Sequence, residues 1–157
     1  MQNSSKGETS PNPLQIHLGY WLRLVSNQVS GSFAGALQER QLSVAEWVAL
    51  NQIETHPDIT AASLADAMGM TRGAISKVLD KLQTKEWLVR TPSQHDSRAN
   101  LLALTRSGKR LLPTLTRIAN DNDEHFFAAL ATSERRELRR LLQKLADAHQ
   151  ISTVPVD

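Results

Sequence analysis

Apolar residues recur at spacings of three and four along most of this chain, and the rhythm is sharpest between Thr60 and Val89. Leu64, Ala65 and Met68 form the apolar side of a short helix, and Thr60 stands where its side-chain oxygen caps the start. Gly69 marks the stop, because glycine tolerates the positive φ of a tight helix end. Thr71 then caps a second helix, whose Ala74, Ile75, Val78, Leu79 and Leu82 fall on one buried stripe. Arg72, Gly73, Ser76, Lys77, Asp80 and Lys81 are left on the outer side. With the small Ala65 letting the pair approach closely, the stretch reads as a helix-turn-helix. An ordinary packed αα-hairpin is the competing reading.

Past Lys85 the period changes from helical to extended. Leu88-Val89-Arg90 and Leu101-Leu102-Ala103-Leu104 are short apolar runs, separated by a polar loop containing Pro92, Asp96 and Asn100. That pattern predicts a small β-hairpin. A hairpin directly after a helix-turn-helix makes a winged helix.

The flanks are helical. Leu14, Leu18, Trp21, Leu22, Val25, Val29, Phe33 and Leu37 predict one long helix from Leu14 to about Glu39, softened near Gly31 and Gly35. Ser43 caps a helix to about Thr55, with Val44, Trp47, Val48 and Leu50 facing inward, and His56-Pro57-Asp58 ends it. Thr105 caps a further helix carrying Leu111, Leu112, Leu115, Ile118, Phe126, Phe127 and Leu130, with Pro113 accommodated early. Ser133 is expected to cap the last helix, striped by Leu138, Leu141, Leu142 and Leu145. The expected organisation is a disordered tail (1–13), an N-terminal helix (14–39), the winged unit (40–105), C-terminal helices (106–149) and a ragged tail (150–157). The fold class is mainly α with a small β-hairpin wing.

The terminal helices carry more apolar surface than one small winged helix can bury. A second copy packed across a two-fold axis is the simplest partner, through Leu14–Leu37 and Leu111–Leu145. The alternative is that both helices pack only on their own chain.

A length of 157 residues suits one compact domain. The absence of cysteine excludes disulfides, thiolate metal sites and cysteine-based peroxide sensing. No apolar run approaches a membrane span and the polar N-terminus has no signal-peptide core, so a soluble, cytoplasmic protein is expected. The net charge of +2 gains meaning once it is located. Thr60–Arg110 holds nine Lys/Arg against four Asp/Glu, whereas the remainder holds nine against twelve. Basic charge concentrated on the helix-turn-helix and hairpin suits a polyanionic partner.

The start of the second helix presents free N–H groups and a positive dipole end, both suited to phosphate, and Thr71 adds a hydroxyl. Arg72, Ser76 and Lys77 lie in its first two turns, where a helix in the major groove meets base edges. Arg72 has the geometry to pair bidentately with guanine, and Gly73 leaves room for close approach. Lys81 and Lys85, further along, are expected to neutralise phosphates. Other constellations carry less. Asp121-Asn122-Asp123-Glu124-His125 lacks the glycine and distal glutamate of a calcium loop and reads as a solvated helix face. His95-Asp96 has no activated nucleophile beside it, and His17, His56 and His149 lack metal-ligand spacing. No enzymatic activity, cofactor or metal is expected.

Leu42-Ser43, Glu46-Trp47-Val48-Ala49-Leu50, Leu64-Ala65, Thr71, Ile75-Ser76-Lys77, Leu79-Asp80-Lys81-Leu82, Leu88-Val89-Arg90, Asp96-Ser97-Arg98, Leu104-Thr105 and Gly108 together resemble the MarR (multiple antibiotic resistance regulator) family of bacterial transcription regulators. The resemblance implies a homodimer whose first and last helices intertwine, most commonly a repressor. Its operator would be pseudo-palindromic, with half-sites about one helical turn, or ~34 Å, apart. It also implies that Asp96 braces the wing while Arg98 enters the minor groove. A small aromatic or anionic effector is implied where the dimerisation helices meet the winged helix. His17, Tyr20, Trp21, Arg23 and Trp47 are the candidates to line that cleft, although aromatic residues at helical spacing are more often plain core. Two positions depart from the family pattern. Glu86-Trp87 replaces Gly-Leu after the second helix, so that either the turn differs or a left-handed strain is tolerated, with Trp87 expected to fill space under the hairpin. Ser97 replaces a second wing arginine. The competing function is a winged helix used only for protein contacts, without DNA.

Overall fold

Four hydroxyl side chains start four helices, each by accepting the N–H three residues on. Ser43 Oγ accepts from Glu46 (3.1 Å) at the head of α2 (Val44–Thr55), and Thr60 from Ser63 (3.1 Å) at α3 (Ala61–Ala67). Thr71 accepts from Ala74 (3.2 Å) at α4 (Arg72–Thr84), and Thr105 from Gly108 (3.0 Å) at α5 (Arg106–Phe127). These caps satisfy N–H groups that have no partner within their own helix. The computed structural model describes residues 12–94 and 99–156. Among them α1 (Leu18–Gln38) precedes α2, the strands β1 (Leu88–Pro92) and β2 (Asn100–Leu104) lie between α4 and α5, and α6 (Thr132–Ala148) follows.

Ser133 does not cap α6. It lies inside the first turn, and the Glu134 carboxylate instead accepts the N–H of Ala131, the residue before the helix (2.8 Å). Nor is the first helix unbroken from Leu14. Pro13–Ile16 form a 3₁₀ turn capped by Asn12, and His17 at φ −91°, ψ 128° separates that turn from α1. Proline suits the first position of a turn, and Trp21 Nε1 ties the piece back by donating to the Gln15 carbonyl (2.8 Å). Pro113 is the eighth residue of α5, in its third turn, and the helix continues through it, while Leu130 lies beyond that helix.

The helix ends repeat one geometry. After α3, Gly69 adopts φ +60°, and Met70 N–H reaches back to the Ala65 carbonyl (2.9 Å). After α4 the same closure is made by Glu86 at φ +59°, with Trp87 N–H donating to the Leu82 carbonyl (3.0 Å). The turn thus keeps its shape and the glutamate carries the strain, while Trp87 packs against the core as expected. Replacing Glu86 by glycine is expected to raise stability by about 0.5–1 kcal/mol, the left-handed strain less the added freedom of the unfolded chain. Urea unfolding measures it, and an unchanged or lower midpoint would mean that the glutamate side chain stabilises more than its backbone costs.

The core is centred on the winged unit, where Leu50, Leu64, Ile75, Leu79, Leu82, Leu88 and Leu102 are buried together. The hairpin pairs Leu88 with Leu104 and Pro92 with Asn100. A third edge, not legible in the sequence, joins it: Leu102 N–H donates to the Ile59 carbonyl (2.9 Å), and Thr60 bridges Leu101. The hairpin root is locked to α5 by Thr105 Oγ1 donating to the Glu86 carbonyl (2.7 Å). There a β-carbon on Gly108 would lie 2.3 Å from the Trp87 carbonyl oxygen, so only glycine permits the approach.

The segment expected to be a ragged tail lies back against the body of the protein. Gln150 (φ +53°) turns the chain, Val154 N–H donates to the Ala67 carbonyl (3.3 Å), and Val154 and Val156 pack on the core beside α3. The terminal helices are covered far less. α1 buries only Leu37 and α6 buries no residue at all. No helix among the described residues is long and apolar enough to cross a membrane.

Candidate nucleic-acid interface

Helix α4 is held by Ile75, Val78, Leu79 and Leu82, all buried, and this fixes which side chains turn outward. Arg72, Gly73, Ser76, Lys77 and Lys81 are exposed on its outer side, as the stripe predicted. Thr71 stands at the N-terminus with its oxygen accepting the Ala74 N–H, which leaves the hydroxyl hydrogen available to a phosphate. Gly73 has no atom within contact of a would-be β-carbon, so the surface above it is open.

Two carboxylates temper this basic face. Asp66 lies 3.7 Å from Arg72 with both side chains largely exposed, a loose pairing that water screens. Asp80 Oδ1 accepts from Arg90 Nη2 at 2.5 Å, joining α4 to β1 across the hairpin root. Arg90 was not singled out from the sequence, because its partner is fixed only once the hairpin folds back on α4. Asp96 and Arg98 lie outside the described residues.

Lys85 departs from its expected role. Its Nζ donates to Glu46 Oε1 (2.7 Å) and to the Gln41 carbonyl (2.6 Å), and it lies 5.1 Å from the centre of the Trp87 ring. Held inward by that set, it is not a free phosphate contact. Burial opposes ionisation of Glu46. The Lys85 ammonium and the Ser43 N–H outweigh it and hold the carboxyl below its ordinary value.

The residues expected to line an effector cleft are divided. His17, Tyr20, Trp21 and Arg23 gather at the start of α1, where Tyr20 and Trp21 meet edge to face (5.4 Å). Tyr20, Arg23, Leu24 and Asn27 line a shallow groove of about 200 Å³. Trp47 instead stacks edge to face on Phe33 (4.8 Å), which on a rise of 1.5 Å per residue lies roughly 20 Å further along α1. Within one chain the five residues do not share a cleft. Trp47 Nε1 is buried without an acceptor among the described residues. A larger groove, about 430 Å³, lies between α5 and α6, lined by Glu124, Phe127, Arg135, Leu138 and Leu142 among others. No group of three or more potential metal ligands occurs among the described residues.

Residues 40–99 match the profile of the MarR family. An HTH-type transcriptional repressor of Mycobacterium tuberculosis is 29% identical over 128 residues, 82% of this chain and 92% of that protein. Its structure in complex with salicylic acid superposes with a TM-score of 0.66, covering 82% of this chain and 96% of that one. Escherichia coli MarR complexed with operator DNA gives a TM-score of 0.71 at 25% identity, covering 82% and 92% of the two chains. The transcriptional repressor CouR, bound to a 23-mer DNA duplex, gives 0.79 at 26% identity, covering 88% and 99%.

Proposed function

We propose that this chain, which is similar to MarR-family winged helix-turn-helix regulators over most of its length, is a homodimeric repressor of a pseudo-palindromic operator. The observation that carries this reading is the outer face of α4, where Arg72, Ser76, Lys77 and Lys81 stand exposed beside an open Gly73. Arg72, Ser76 and Lys77 read base edges, while Thr71 and Lys81 hold phosphates. Asp96 and Arg98 carry the wing contact, with Arg98 in a narrow minor groove. A winged helix serving only protein contacts has no need of exposed cations along its recognition helix.

Release by a small aromatic or anionic effector is part of the same proposal. Tyr20, Trp21, Arg23 and His17 supply aromatic walls and a cation at one end of α1, and Trp47 offers an unpartnered indole N–H at the other. The two groups form separate candidate subsites in one chain. A relative solved with salicylic acid supports that ligand chemistry.

A gel shift over a salt series, with duplex from upstream of the protein's own gene, tests the function. Saturable binding that outcompetes unrelated DNA and weakens steeply with salt is expected. Equal affinity for any duplex would reject an operator-specific role, and no binding at low salt would reject DNA as the partner.

A further inference from the structure

Lys85 is a cation with no exposed target of its own, and its three neighbours come from three separate elements. Glu46 belongs to the first turn of α2 and is 3% exposed. Gln41, at φ 59°, is the left-handed residue that closes α1. Trp87 opens the wing. Lys85 itself ends α4. One ammonium therefore joins the C-terminal end of the recognition helix and the root of the wing to the junction where α1 enters the winged unit.

We propose that Lys85 is a positioning residue for DNA recognition, fixing α4 and the wing root against the α1–α2 junction so that the orientation of α1 sets the orientation of α4. The proposal rests on the DNA-binding reading above. The apolar stripe of α4 cannot do this alone, because burial is non-directional and tolerates small rotations. The short bonds from Lys85 to Glu46 and Gln41 have preferred directions. The lever is long. The outward residues of α4 begin at Arg72, at the opposite end of a thirteen-residue helix about 20 Å long. A tilt of about 5° at Lys85 therefore moves the base-reading end by roughly 1.7 Å, enough to break a hydrogen bond.

Lys85→Met alone would strand a buried carboxylate, so the test uses Glu46→Gln with Lys85→Met, which removes both charges. The protein has no native cysteine, so Ser32→Cys on α1 and Gln83→Cys on α4 accept spin labels cleanly. Dilution with unlabelled chain leaves only distances within one protomer. A folded double variant is expected to show a broadened α1–α4 distance distribution. Its affinity for the upstream duplex should fall about fivefold or more, with an unchanged salt slope. A slope smaller by about one would instead make Lys85 a direct phosphate contact and overturn the proposal. Unchanged affinity or an unchanged distance distribution would reduce the pair to packing and overturn it too. If the unsubstituted protein binds no duplex, the DNA reading fails, and the distance distribution still decides whether Lys85 orients α4. Should the double variant not fold, Lys85→Arg keeps the charge but disturbs the contact set, and the same distances must shift.

Discussion

Leu141→Glu combined with Leu145→Glu should convert the protein to a monomer and lower operator affinity by at least about a hundredfold, the low end of what two linked binding units gain. Helix α6 has Leu138, Leu141, Leu142 and Leu145 on one stripe, 36–53% exposed in the isolated chain, and none of its residues is buried. At the N-terminal side Leu18, Trp21, Leu22 and Val25 are similarly uncovered. In the proposed dimer these two faces cover each other across the two-fold axis. Leu141 and Leu145 touch little of their own chain, so the substituted protein should melt as a folded monomer. Sedimentation reads the mass and a gel shift reads the affinity. A dimer that survives both charges would place the interface elsewhere.

Arg72→Ala is expected to cost about 1–3 kcal/mol of operator binding, and to relax the preference at one base pair rather than at all of them. Arg72 is two-thirds exposed and its nearest acid, Asp66, is 3.7 Å away, so folding should be untouched. Lys77→Ala tests the neighbouring turn. A base contact gives position-dependent loss, whereas a phosphate contact lowers affinity evenly and reduces the salt slope by about one. Binding unchanged in both variants would remove the outer face of α4 from the interface and leave the protein-contact reading standing.

Much of this architecture was readable before any coordinates. Ser43, Thr60, Thr71 and Thr105 cap where the pattern put them because a cap needs only a hydroxyl and an N–H three residues apart. Ser133 misled for the same local reason. An acceptor-rich stretch offers more than one start, and Glu134 reaching back to Ala131 settled the choice. At Glu86 the resemblance to the family, which carries glycine there, left two outcomes open, and the structure decided that the turn is kept and the glutamate takes the left-handed conformation.

The sequence by itself determined the elements, their order, the buried stripe of α4 and hence its outward residues, since each follows from periodicity and interactions spanning a few positions. Tertiary structure alone decided that Lys85 turns inward to Glu46, thirty-nine residues away, and that Arg90 meets Asp80. It also decided that Ile59 adds an edge to the hairpin, that Trp47 lies far from Tyr20, and that the tail through Val156 docks beside α3. Each of these depends on where a distant segment arrives. A long flexible side chain or an unpaired carbonyl is compatible with many partners, until packing of the core leaves only one within reach.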